Sequence, residues 1–238
     1  MIFSSVLELP DRRADGSSHR AQVGIIVDGW HEDARTFIDA VLRHTSYPVL
    51  VLTFDGFEYG HDRVEVFSVK DRTGWAKATI ALLKLNPSAA HVVADISSVL
   101  DGDAITPLVD ALGDGVVGAG WRGANVDTED AWRTVNDASG EVDVLLSYLF
   151  AVDRDFALEN PPHGKARFYR NADLEWSLAM REAGGRLLVP STELPVHQER
   201  HHGYHDTDPE YRDRESRRTY IRLLDRFRGK DHILAPRS

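Results

Sequence analysis

Three aspartates stand where chemistry can happen. Asp28 closes the apolar run 22–28, Asp55 closes 48–55 and Asp95 closes 91–95. Each run lacks polar alternation, the pattern of a strand covered on both faces. In an open α/β sheet the ligand crevice lies beyond the carboxyl ends of the parallel strands. Carboxylates there can hold a metal, hydrogen-bond a ribose or a base, or act in catalysis. Aspartate is common wherever a strand meets a turn, but here it recurs through successive β-α units. A fourth aspartate, Asp173, sits in the first turn of a predicted helix, next to Arg170 and Asn171. There it either stabilises the helix N-terminus or accepts a proton. Asn171 reads as the N-cap. A guanidinium at 170 suits an anionic acceptor or a diphosphate.

The elements that must position these groups follow from periodicity. After 22–28, Ala34, Phe37, Ile38, Val41 and Leu42 fall on one face of an amphipathic helix, with Glu32 and Asp33 in its first turn. The run 64–69 is a third strand, and 70–74 turns into a second helix carrying Trp75, Ala78, Thr79, Leu82 and Leu83. A short helix is expected at 105–112 and a strand at 115–121. Residues 122–141 read as a polar loop or insertion, and 142–152 as one long strand. A helix then spans 172–183, stops at Gly184-Gly185 and feeds a strand at 186–189. A last amphipathic helix carries Tyr220, Leu223, Leu224 and Phe227. Residues 1–21 read as a polar leader and 22–238 as one α/β domain, with halves at 22–112 and 113–238.

Composition narrows the classes. The chain has 238 residues, 42% hydrophobic and 28% charged, ordinary for a globular protein. It has no cysteine, so disulfides, thiolate catalysis and cysteine-bound zinc are excluded. A formal charge of -10 without a basic face argues against a nucleic-acid partner. No apolar run is long enough for a membrane span and no signal pattern opens the chain, so a cytoplasmic location is expected. Neither a G-x-x-x-x-G-K-S/T nor a G-x-G-x-x-G phosphate loop is present. A bound diphosphate therefore needs a cation or side chains such as Arg72, Lys77 or those at 200–202. Among the aromatics, Trp30 and Trp121 follow strand ends and can stack on a base or sugar, whereas Trp75, Trp132 and Trp176 read as core. His197 and the cluster His201, His202 and His205 are further ligand candidates. Aspartates at strand ends also suit a phosphoryl-transfer domain. That reading ranks last, because no D-x-D follows the first strand and no lysine follows a late one.

The order of these pieces resembles the family 2 glycosyltransferases with a GT-A fold, over about residues 22–200. The segment 22–56, "QVGIIVDGWHEDARTFIDAVLRHTSYPVLVLTFDG", is similar to their opening β-α-β. "HVVADISSVLDGDAITPLVDAL" falls where the family has its D-x-D, "VDVLLSYLFAVDRDF" where a strand lines the acceptor side, and "YRNADLEWSLAMREAGGRLLVP" where it has an E-D-x-D-L segment. "VPSTELPVHQ" puts His197 where members often carry a histidine. The resemblance implies an open, mainly parallel sheet flanked by helices. It also implies transfer of a sugar from a nucleotide-diphosphate sugar to a glycan, lipid or small-molecule hydroxyl, with inversion and with Mg²⁺ or Mn²⁺. Asp28, Asp55, Arg72 and Asp95 would then bind the donor, Asp95 and His197 the metal, and Asp173 would act as base. Two positions depart from the pattern. The D-x-D is Asp95-Ile96-Ser97, and the E-D pair is Arg170-Asn171. These departures also allow a noncatalytic nucleotide- or glycan-binding scaffold.

Overall fold

A computed structural model describes residues 2–12, 19–198 and 208–237. The strands are β1 Ile2–Phe3, β2 Ala21–Val27, β3 Val49–Thr53, β4 Val64–Val69, β5 Ala90–Ala94, β6 Ser98–Leu100 and β7 Val116–Gly120. They continue with β8 Gly123–Val126, β9 Val135–Ala138, β10 Gly140–Val142, β11 Val144–Leu145, β12 Leu149–Asp153, β13 Arg186–Val189 and β14 Val196–Gln198. The helices are α1 His31–His44, α2 Trp75–Leu85, α3 Thr106–Asp110, α4 Arg154–Glu159, α5 Ala172–Glu182 and α6 Pro209–Phe227.

One sheet of nine strands runs β1-β4-β3-β2-β5-β12-β7-β13-β10. From β1 to β5 every pairing is parallel, while β12 lies antiparallel between β5 and β7. The strand residues β2 and β5 place on one face, such as Val23, Ile25 and Val92, pack with Phe37 and Ile38 of α1 and with Leu108 of α3. On the other face Leu50, Leu52 and Phe67 meet Leu82 and Leu85 of α2. Further along that face Phe150 and Leu187 meet Trp176 and Met180 of α5. Burying each such side chain contributes about 1.5–3 kcal/mol. The three-stranded sheet β11-β8-β9 is closed by α6, whose Leu223 and Phe227 join Trp132 and Leu178 in a satellite core.

Four sequence expectations are corrected. Residues 122–141 are not a loop: β8 and β9 form an antiparallel pair with Asn125 opposite Asn136, and Gly140 begins the edge strand β10. Polar side chains suit such strands because the alternation signal needs a buried face, and β9 has none. The expected long strand 142–152 is two strands, β11 and β12, separated by a turn at 146–148. Within the expected leader, Ile2 and Phe3 add a parallel edge strand to β4. Asn171 occupies the N-cap position of α5 at φ 67° without capping it; its amide instead donates to Ser216 O at 3.1 Å, tying α5 to α6. The expected core tryptophans Trp75, Trp132 and Trp176 are all buried.

Candidate active site

The parallel register brings Asp28, Asp55 and Asp95 to one edge, just beyond the carboxyl ends of the adjacent strands β3, β2 and β5. Asp28 is buried, and the Arg72 guanidinium donates to its Oδ1 from the turn before α2. Burial pushes the Asp28 carboxyl above its usual range, against the pull of Arg72. Asp55 has the opposite balance. Burial raises its carboxyl, but donors from Thr53, the Gly29 N–H and His31 together hold it below the usual range. Thr53 Oγ1 lies 2.8 Å from Oδ1 and His31 Nε2 2.9 Å from Oδ2. The loop that delivers the Gly29 N–H turns through two left-handed residues, Gly29 at φ 88° and Trp30 at φ 56°. For a tryptophan that conformation costs about 1–2 kcal/mol. It leaves the indole 37% exposed at the start of α1.

Asp95 is also buried, and its Oδ1 accepts from Ser97 N at 2.8 Å and from the Ser97 hydroxyl. The serine thus folds back on the aspartate where a second carboxylate would project. Gln198 Nε2 reaches Ser97 Oγ at 3.2 Å. Sequence reasoning had chosen its neighbour His197, which lies in β14 opposite Val99 and is directed to Asp101, Nδ1 to Oδ2 2.7 Å. Strand alternation separates the two side chains, so Gln198 meets the Asp95–Ser97 pair and His197 does not share its hydrogen bonds. Among the described residues no group of three or more His, Cys, Asp or Glu is arranged to hold a metal ion. Asp33 of α1 lines a cavity of about 100 Å³ beside Ser97 and Ser98. His201, His202 and His205 lie outside the described residues.

On the far side of Asp95, the turn 146–148 links three elements. Asp95 N–H donates to Tyr148 O at 2.9 Å, and Leu146 N–H to Arg122 O at 3.0 Å. Asp173 Oδ2 accepts from Ser147 N at 3.0 Å and Ser147 Oγ at 3.1 Å, and its Oδ1 from Leu174 N at 2.9 Å. Asp173 is therefore buried against this turn at the start of α5. The Trp121 and Tyr148 rings meet edge to face at 6.2 Å, and Arg122 Cζ lies 5.4 Å and 5.8 Å from their centroids. Burial, then Asp173, pushes the Tyr148 hydroxyl up; Asp95 adds to this, while Arg122 and Arg170 oppose it. Tyr148, Arg122 and Gln198 went unnoticed in the sequence. The adjacent Trp121-Arg122 pair after a strand end was the available signal.

No family model and no curated protein matches the chain. Solved structures do. The chain is similar to GalNAc-T7 with UDP, GalNAc and Mn²⁺ at TM-score 0.63 and 16% identity, over 86% of this chain and 47% of that one. It thus spans about half the length of GalNAc-T7. It is similar to the mannosyltransferase PcManGT from Pyrobaculum calidifontis with GDP-Man and Mn²⁺, at TM-score 0.64 and 14% identity, over 96% and 73% of the two chains. Glucosyl-3-phosphoglycerate synthase from Mycobacterium tuberculosis, with Mn²⁺ and UDP-Glc, matches at TM-score 0.59 and 16% identity, over 88% and 79%. The chain has the GT-A glycosyltransferase fold.

Proposed function

We propose, from the GT-A fold and the carboxylates on its donor edge, that the chain transfers a sugar from a nucleotide-diphosphate sugar to an acceptor hydroxyl, with inversion. The observation that carries this reading is the placement of Asp28, Asp55 and Asp95 beyond three adjacent parallel strands. The nucleotide diphosphates, nucleotide sugars and Mn²⁺ bound in the similar structures support it. Asp55, oriented by its three donors, accepts from the base or ribose, and Trp30 offers its indole to the base. Arg72 offers its remaining N–H groups to the diphosphate. Asp95 would hold Mg²⁺ or Mn²⁺ through a hard carboxylate oxygen, with His197 on β14 as a further candidate ligand. When bound, that cation neutralises charge on the departing diphosphate. Asp173 draws the proton from the acceptor hydroxyl as it attacks the anomeric carbon. Ser147 holds the carboxylate in a fixed orientation for that step. A single displacement with no nucleophile on the chain inverts the centre.

Calorimetric titration with UDP, GDP and TDP, with and without Mn²⁺, tests the reading. One nucleotide is expected to bind in a Mn²⁺-dependent way, and Asp95→Ala to weaken it at least tenfold. Mn²⁺ alone is expected to bind only weakly. Absence of binding to every nucleotide overturns the reading.

A further inference from the structure

The proposed transfer occupies Asp28, Asp55, Asp95 and Asp173 but leaves two cations on the acceptor side unused. Arg122 and Arg170 are both exposed, and among the described residues neither forms an ion pair or donates a hydrogen bond. Some other arginines are taken up by carboxylates, as Arg181 is by Glu141 and Arg222 by Glu175.

Backbone ties bring the pair together. The turn 146–148 is bound on one side to Arg122 through Leu146 N–H, and on the other to α5, which Arg170 precedes, through Ser147 and Asp173. Arg122 lies over the Tyr148 ring, and the charges of both arginines act on the Tyr148 hydroxyl. Arg122 lies against the Trp121 and Tyr148 rings, a seat that orders the guanidinium while leaving its N–H edge available. Planar forks of this kind match carboxylate and phosphate oxygens.

Resting on the transfer reading, we infer that the acceptor is a small anion: a hydroxy compound whose phosphate or carboxylate is gripped by Arg122 and Arg170. The hydroxyl to be glycosylated then faces Asp173, and the charged group fixes which hydroxyl that is. The diphosphate of the donor is the other source of such an anion, and the test separates the two.

The full chain, with its nucleotide diphosphate and Mn²⁺ present, is titrated with 3-phosphoglycerate, glycerol 3-phosphate, glycerate and, as the uncharged control, glycerol. At least one anion is expected to bind and glycerol is not. Arg122→Ala and Arg170→Ala should each weaken anion binding at least tenfold and change nucleotide affinity less than twofold. Arg122→Lys, which keeps the charge and loses the fork, should fall between. If the variants weaken nucleotide binding as much as anion binding, the arginines serve the donor and the inference falls. Nucleotide binding with no anion binding also overturns it and leaves the transfer reading standing. Anion binding with no nucleotide binding removes the transfer reading, and the acceptor role with it.

Discussion

Asp173 has a structural post, and the proposed function gives it a chemical one as well. Its Oδ2 fixes the turn 146–148 through Ser147. Asp173→Asn keeps an oxygen for the Ser147 bonds but is no base near neutral pH. It is expected to lower turnover at least a hundredfold while nucleotide affinity changes little, and to cost about 1 kcal/mol of stability because the amide NH2 then meets the Leu174 N–H, which steady-state kinetics, calorimetry and denaturant titration check. His91 is a residue of the opposite kind, in the middle of the sheet and fully buried. Burial first, then the charge of Arg154, pushes its imidazole down to about 3 from an ordinary 6.5. The unfolded chain takes up a proton near pH 6.5 that the folded chain refuses. Stability present above that pH is therefore lost as pH falls toward 3, by up to about 1.4 kcal/mol per pH unit. Unfolding midpoints measured between pH 7.5 and 5 should fall accordingly, and less steeply in His91→Asn. Gly24 makes room for this ring: a Cβ there would lie 2.5 Å from His91 Cε1. Gly24→Ala is expected to cost about 1–3 kcal/mol.

At the scale of elements, α5 joins the sheet to α6. Its Ala172–Trp176–Met180 face packs on the sheet, while Ala183 is exposed at the helix end. Its other side is held by α6 through Arg222, which grips the buried Glu175 in a bidentate pair at 2.6 and 2.5 Å. Removing one partner leaves a buried charge unpaired. Arg222→Ala is expected to destabilise by about 3 kcal/mol, read as a drop in denaturant midpoint. The double variant Glu175→Met/Arg222→Met should cost less than Arg222→Ala alone.

Across the whole molecule, one sheet carries strands from residues 2–94 and from 116–189, so the two stretches share a framework. The chain end is fastened to it by Asp143, wholly buried, which accepts from Val126 N at 2.7 Å, Ala235 N at 2.6 Å and Arg237 Nη2 at 2.7 Å. Asp143→Ala strands these donors and is expected to cost about 3 kcal/mol and to speed amide exchange in β8. Among the described residues no helix is long and apolar enough to cross a membrane.

Local pattern alone determined the β-α units of 22–95, because each strand and helix there announces itself by apolar periodicity, and a parallel sheet then forces Asp28, Asp55 and Asp95 to one edge. The helix at 172–182 and its glycine stop were legible for the same reason. Only the tertiary structure decided the rest. The strands β8 to β10 are polar because their partners and α6, not their own periodicity, bury them where they are buried. The break at 146–148 exists because Asp173, Asp95 and Arg122 each claim a backbone or side-chain group of that turn. The seating of Arg122 over Tyr148 and of Asp173 against Ser147, and the turning of His197 toward Asp101 while Gln198 meets Ser97, depend on strand register and on contacts between segments far apart in the chain. No local spacing encodes these.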